Sequence, residues 1–555
     1  MKPALLLAAL VVIVGSFEIA RPGYSVDEEF TEFAVRGVHA HGVPLLPSGL
    51  LYDRGLAYSY ASAIVNGRIV SLASAALSVI LVFALIRRHT DDRTATIAAL
   101  LVATAVPFWA TATTARFYAP FLAAYLATLL AFQGNFFRLA GLALLARLLH
   151  ELGFTLVFVP MICWLFARQE RRRWLIATAA VAAGLIAGQL VLFGLHALEP
   201  SSGETMVRRF FLWQVLNLFE RPGDRQFGIA FVVMAIGVLL APKRAWWWVV
   251  SSLSVAAMII AFSIARASNS APLSIDLVTS VLRDGSRYPL DMFWHIARAT
   301  PLTLAIAVAG LFARVGGIGG EWRPAERAAH LLWIGWVVWF GVIESGITTN
   351  YLLLPLSFML IAIAVDVAAL ADGSNPPRRA YPALAAIGLV VVAIAMDQWR
   401  GDGSVAARLE AARPTIHVAG IDEIRESLQP NDRVVCTDEL GCLMLVGRID
   451  RWLALDDYVR ERFLVRRSPE VVTGVYTGVP AVFRPGDVFG PNPDGSLPDR
   501  TIVIDIFKEY PIGNSRSWLP KAIEEDGLQV TPLLETAQVR VLQVSPPERV
   551  ARLQP

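Results

Sequence analysis

The sequence predicts a polytopic α-helical membrane protein that carries a C-terminal α/β domain outside the membrane. Three observations lead there. First, 55% of the 555 residues are hydrophobic and 17% are charged, with a mean hydropathy of +0.53; soluble globular chains carry about 45–50% apolar and about 25% charged residues. Second, about 53 of the 95 charged residues fall in residues 1–397 and about 42 in residues 398–555, with net charges of about +7 and −4. Third, long apolar runs fill the first part, whereas the second shows short alternating runs. A cytosolic enzyme and a disordered chain are both excluded by this composition. No strongly basic domain is present, so nucleic acid is not an expected partner.

A membrane-spanning helix needs about 20 mostly apolar residues. Thirteen segments meet or approach this: 3–20, 69–86, 94–112, 117–133, 137–150, 153–167, 174–194, 228–241, 245–265, 299–313, 329–346, 351–371 and 381–397. If the N terminus is cytoplasmic, the connections after even-numbered spans are cytoplasmic too, and they should be short and basic. They hold Arg87, Arg88 and Arg93, then Arg138, then Arg168 and Arg171–Arg173, Lys243 and Arg244, Arg314, Arg323 and Arg327, and Arg378 and Arg379. An odd number of spans puts the C terminus outside. The predicted location is the inner (plasma) membrane, with the tail periplasmic or extracellular. Glu18 stands where small residues would mark signal cleavage, so the first span is read as uncleaved.

The predicted organisation is a transmembrane domain over 1–397, whose first outside loop is 21–68, followed by an extracytoplasmic domain over 398–555. In the latter, strand-like runs at Arg433–Cys436, Ala481–Phe483, Thr501–Ile506 and Gln538–Val544 are interleaved with helical patterns at Val405–Arg413, Ile421–Leu428 and Ser517–Asp526. Alternation of this kind favours an α/β layer. No glycine-rich phosphate loop or metal-ligand spacing occurs in it, so a lid or an acceptor-docking role is expected rather than a second active site. Cys436 and Cys442 lie close together in CTDELGC, which an oxidising compartment allows to be either a disulfide or two buried thiols. Outside segments 195–227 and 266–298 carry amphipathic, aromatic-rich stretches suited to the membrane interface.

The first outside loop concentrates the chemistry. Ser25 and Glu28 have the spacing of a capping box, so a helix should start there with Asp27, Glu28 and Glu29 in its first turn. Phe30, Phe33, Ala34, Gly37 and Val38 form its apolar face, suited to the membrane interface. Acidic residues in a first turn favour the helix dipole, which accounts for Glu29 and Glu32. Asp27 and Glu28 follow the first span directly and are expected to face Arg54 and Arg116 across a cavity mouth. Ionisable groups in such a place are costly and are kept where they pair or act.

These features resemble a known family. Span one, an acidic pair heading an interfacial helix, Gly42-Val-Pro-x-x-Pro47 and Tyr52-Asp-Arg54 before the second span look like the large bacterial GT-C glycosyltransferases, in particular the protein O-mannosyltransferases and the lipid A aminoarabinose transferases (families 39 and 83). The likeness covers the whole chain in layout. In motifs it is confined mainly to residues 25–60, with a weaker echo at Asn350-Tyr351-Leu-Leu-Leu-Pro355, where the family often has Arg-Tyr.

The resemblance implies transfer of a sugar from a polyprenyl-phosphate donor to an acceptor hydroxyl on a protein, lipid or glycan at the outer membrane face. Asp27 matches the catalytic aspartate that accepts the hydroxyl proton, and Glu28 the second acid. Arg54 stands where the aminoarabinose transferases carry a lysine that holds the donor phosphate, and Asp53 where a preceding acid helps bind a metal. Arg116, in the short Thr113–Tyr118 connection, is a further candidate for the phosphate. His150 and Glu151 are candidates for a metal or for the sugar. Tyr52, Tyr58, Tyr118 and Tyr351 are expected to line the acceptor and lipid groove. A divalent metal ion and a metal-free mechanism with arginine-stabilised phosphate departure both stay open. A polyprenyl-lipid flippase would instead place charges at the bilayer midplane; a non-catalytic envelope scaffold is the third alternative.

Overall fold

In the computed structural model the described residues are, short gaps aside, 2–196, 300–372 and 415–545. The expected spans at 228–241 and 245–265, most of that at 381–397, nearly all of the interface segments 195–227 and 266–298, and the helix at Val405–Arg413 lie outside them. The chain divides into two compact units: residues 1–19, 68–197 and 202–412, and residues 20–67, 198–201 and 413–555. The first outside loop therefore groups with the tail rather than with the helices on either side of it. Its backbone is bonded there: Tyr24–Ser25 (β1) pairs antiparallel with Thr415–Ile416 (β2).

The helical unit contains α1 (Lys2–Ile19), α4 (Gly67–Arg87), α5 (Asp92–Thr104), α6 (Val106–Ala112), α7 (Tyr118–Ala131), α8 (Phe136–Leu149), α9 (Phe158–Phe166), α10 (Arg171–His196), α11 (Pro301–Val315), α12 (Pro324–Ile343) and α13 (Leu353–Asp372). Among the described residues α1, α4 and α10 are long and apolar enough to cross a membrane by themselves. The expected third span is broken into α5 and α6, bent by 68°. Ala105 is extended at the break (φ −69°, ψ 134°), and Pro107 has no N–H to continue the ladder. The sixth is likewise divided, a 3₁₀ turn at Glu151–Val157 preceding α9.

Helix starts follow from capping. Asp91 accepts from Thr94 N at 2.7 Å to begin α5, and Asn135 accepts from Arg138 N at 2.8 Å to begin α8. Inside the apolar helices hydroxyls bond back along their own helix: Ser78 Oγ to Ser74 O at 2.9 Å, Thr111 Oγ1 to Pro107 O at 2.9 Å and Thr128 Oγ1 to Ala124 O at 2.7 Å. Such bonds satisfy polar atoms where water is absent. Small residues let the helices close. A Cβ on Gly184 would come within 2.1 Å of Ala140 O, so α10 and α8 touch backbone to backbone there. Between α12 and α13, Trp333 Nε1 donates to His330 Nδ1 at 3.0 Å, which leaves the proton on Nε2 to bond Asp366 at 3.0 Å.

The second unit contains α2 (Glu28–His41) and α3 (Leu56–Ile64) of the first loop, together with a six-stranded mixed sheet. Its strands are β3 (Arg433–Cys436), β4 (Arg451–Leu453), β7 (Ala481–Val482), β8 (Thr501–Ile506), β9 (Gln529–Glu535) and β10 (Val539–Ser545), in the order β7-β4-β3-β8-β10-β9. The first four are parallel; β10 is antiparallel to both β8 and β9. A separate hairpin pairs Leu464–Arg466 (β5) with Val472–Gly474 (β6). The period of two sends Val434, Cys436, Ile502 and Ile504 to a core with α14 (Ile421–Ser427) and α15 (Glu439–Val446), and Val435 and Val503 to another with Leu519 and Ile523. Cys436 and Cys442 form a disulfide between β3 and α15.

Candidate active site

In the second unit, α2 is described from Glu28, two residues beyond the first helical position that a cap at Ser25 would give. Tyr24–Ser25 is engaged in the strand pair with Thr415–Ile416. Glu28 is 4% exposed. The apolar face is not left to lipid: Phe33, Ala34 and Gly37 are buried within the protein. Gly37 is required, because a Cβ would strike Leu45 O at 2.3 Å and Leu45 N at 2.4 Å. The proline-rich turn thus rides directly on the helix. Its ends are joined by the Leu45–Leu51 bridge and by Tyr52 N to Pro44 O at 2.8 Å.

That turn is fastened to the tail. Ser48 N donates to Tyr476 O at 2.9 Å and Ser48 Oγ to Val475 O at 2.8 Å. Phe30 stacks with Tyr52 (ring centroids 5.9 Å apart) and meets Tyr476 edge-on at 4.9 Å. Tyr52 and Tyr58 are buried, Asp53 is half-buried and Arg54 is exposed. Tyr58 is held by its hydroxyl donating to Gly67 O at 2.6 Å. Gly55 takes φ +76° at the head of α3, a conformation that favours glycine.

Two acids of this unit lie outside what the sequence singled out. Glu29 is fully buried, and its Oε1 stands 3.1 Å from the point where a Cβ on Gly441 of α15 would be. Glu32, by contrast, is half-exposed and bonds Arg36 at 3.0 Å, an ordinary helix-surface pair. Glu439, the first residue of α15, accepts a hydrogen bond from Thr477 Oγ1. Burial pushes its carboxyl up to about 7, and the neighbouring Asp438 carboxylate adds to the rise, against the pull of the Thr477 bond. No motif marks Glu29 or Glu439 in the sequence: Glu29 packs on a segment about 400 positions away, and Glu439 bonds Thr477, 38 positions on.

In the helical unit, the Thr113–Phe117 turn between α6 and α7 holds Arg116, which is 6% exposed. Its carbonyl accepts from Ser71 Oγ at 3.0 Å, and its guanidinium lies 4.8 Å from the Phe117 centroid and 5.8 Å from that of Tyr118. His150 packs among Phe117, Phe121 and Tyr118 at 4.9, 5.1 and 5.9 Å. Its Nδ1 accepts from Leu152 N at 3.0 Å and so caps the 3₁₀ turn that Glu151 begins. One turn earlier on α8, Arg147 is 5% exposed and gives Nε and Nη2 to Gln189 Oε1 at 3.2 and 2.6 Å. Gly188 makes the room: a Cβ there would lie 3.0 Å from Arg147 Cγ.

The candidate residues therefore form two sets. Glu28, Tyr52, Asp53, Arg54 and Tyr58 belong to one unit; Arg116, Tyr118, His150 and Glu151 belong to the other. Asp27 and Tyr351 lie outside the described residues.

Among solved structures, the chain is similar to ArnT from Cupriavidus metallidurans bound to undecaprenyl phosphate, at 14% identity and a TM-score of 0.45 over 97% of each chain. It is also similar to the oligosaccharyltransferase of Archaeoglobus fulgidus in the apo form, at 12% identity and a TM-score of 0.48, over 80% of this chain and 64% of that one. The same oligosaccharyltransferase tethered to an acceptor peptide gives 13% and 0.47, over 80% and 63%. No family model matches it, and no curated protein does.

Among the described residues no three His, Cys, Asp or Glu side chains are grouped so as to hold a metal ion. His150 already commits Nδ1 to its cap. The described residues thus do not fit a metal centre.

Proposed function

We propose that this protein is a membrane glycosyltransferase that moves a sugar from a polyprenyl-phosphate donor to an acceptor hydroxyl at the outer face of the plasma membrane. The observation that carries this reading is the buried acidic start of α2, Glu28 directly after Asp27, in a chain whose other unit is built of membrane-compatible helices. Buried carboxyl groups are retained where they are bonded or act. The acceptor oxygen attacks the anomeric carbon and forms the new C–O bond. The bond from that carbon to the phosphate oxygen breaks, and its electron pair leaves on the polyprenyl phosphate. The hydroxyl proton passes to the Asp27 carboxylate, which Glu28 orients. Arg54 neutralises the departing phosphate, a task that a guanidinium group suits through paired hydrogen bonds. One displacement inverts the anomeric centre. The expected thirteen spans with the tail outside would fit this direction of transfer, and the Cys436–Cys442 disulfide suits an oxidising side of the membrane.

The test uses purified full-length protein with a panel of radiolabelled undecaprenyl-phosphate sugars. Sugar release is measured for wild type, Asp27→Asn and Glu28→Gln, each with and without a chelator. Release by wild type should fall by about 10²–10⁴-fold in Asp27→Asn. Equal turnover in that variant removes Asp27 as the base, and no turnover with any donor removes the glycosyltransferase reading. Loss of turnover on chelation would replace the metal-free mechanism.

A further inference from the structure

At the end of the helical unit where α8 and α10 begin, a cleft of about 500 Å³ opens between these helices and the C-terminal end of α7. One wall is apolar: Phe132, Phe136, Leu139 and Ile176, floored by Ala177 and Ala180. Arg172 and Arg173 form its rim, and Glu170 is the one carboxylate lining it. Glu170 offsets little of that charge. Its contact with Arg173 is 3.4 Å long between half-exposed side chains, a geometry worth little in water. Arg171, Arg172 and Arg173 stand consecutively in the first turn of α10 with no acid among them. Cations at a helix N-terminus repel one another and the positive end of the dipole, so an anion in the cleft beside Arg172 and Arg173 is favoured. The arginines Arg87 and Arg88 gather at the same end, where Arg88 Nη1 donates to Leu130 O of α7 at 2.6 Å.

Two guanidinium groups at the rim of an apolar slot at the end of membrane-compatible helices match one chemistry, a phosphate headgroup that carries acyl chains. We propose that this cleft is a binding site for an anionic phospholipid, with its phosphate held by Arg172 and Arg173 and an acyl chain laid along Phe132, Phe136 and Ile176. The arrangement of the charges also orients the chain in the membrane. A site makes a stronger demand: the two arginines that line the cleft must matter more than their neighbours. The inference does not depend on the proposed transferase activity.

The experiment is native mass spectrometry of the full chain in detergent, titrated with phosphatidylglycerol, cardiolipin or phosphatidylcholine, with inorganic phosphate as a separate arm. Wild type should retain the two anionic lipids about tenfold better than phosphatidylcholine, a difference of about 1.4 kcal/mol. The Arg172→Gln/Arg173→Gln variant should lose that preference, and Arg171→Gln, outside the lining, should keep it. Ile176→Trp, at a half-exposed position of the apolar wall, should lower retention with the arginines intact. The proposal fails if the lipids bind alike, if the double variant binds as wild type, or if Arg171→Gln is as damaging, since diffuse surface charge would then explain the preference. Competition by free phosphate at millimolar concentration with no contribution from the wall would make the site one for phosphate alone and overturn the lipid assignment.

Discussion

Glu439 sets a pH dependence whose sign runs opposite to that of most carboxylates. It is 3% exposed, and burial raises its carboxyl from 4.5 to about 7. Below pH 4.5 both folded and unfolded chains carry its proton. Between 4.5 and 7 the unfolded chain has released it while the folded chain still holds it, so the folded state loses stability as pH rises; above 7 the loss is complete. At about 1.4 kcal/mol per unit, the total is about 3 kcal/mol. Glu439→Gln has nothing to ionise and should abolish this slope. Part of the gain at high pH is offset by about 1–3 kcal/mol if the new amide N–H finds no acceptor, so the slope discriminates where the absolute value does not. Hydrogen exchange of the full-length protein, followed by mass spectrometry from pH 5 to pH 8 and corrected for intrinsic rates, reads the opening free energy of β3 and α15. Wild-type protection of these segments should decline across that range, with the variant nearly flat. Parallel profiles for the two proteins, or wild-type protection that rises with pH, would refute the assignment of a proton to Glu439.

Gly441→Ala adds a Cβ 2.6 Å from Asp438 Oδ2 and Ile506 Cδ1 and 3.1 Å from Glu29 Oε1. Although alanine favours a helix by about 1 kcal/mol, overpacking of about 1–3 kcal/mol should leave the variant less stable; an increase in melting temperature would show that Glu29 and Asp438 yield freely. Replacing Cys436 and Cys442 together by serine opens a short loop, with a sequence separation of 6. The second unit should lose about 2 kcal/mol, and reductant should lower the melting temperature of wild type but not of the variant.

The helices were legible because lipid imposes a length and a composition that a sequence displays without any knowledge of contacts. Their interruptions were not: Pro107 stands in the expected third span, yet the chain turns at Ala105, two residues before it. In the tail, Arg433–Cys436 and Thr501–Ile506 could be read as strands because both are buried runs of β-branched residues. The edge strand Gln529–Glu535 carries Pro532 and is largely exposed, so its pattern resembles a loop. The short helix Glu439–Val446 was hidden inside the cysteine motif. At the candidate site, residue types could be named from the loop, but burial could not. Glu29 looks like any acid of a first turn, and only its packing against Gly441 separates it from Glu32. Arg147 and Gln189 were visible as two polar residues in separate spans; which polar groups meet is decided by helix crossings, here by Gly184 and Gly188.

The pairing of Tyr24–Ser25 with Thr415–Ile416, and of Ser48 with Tyr476, has a consequence for how the protein is made. Residues 20–67 are synthesised well before the backbone groups that complete their fold, which follow some 400 residues later. Until then the helix bearing the acidic pair lacks part of its seat, so a chain cut short before the tail would carry every candidate residue and still be inert. Under the proposed function, the protein would become competent only once the segments around Thr415 and Tyr476 are in place.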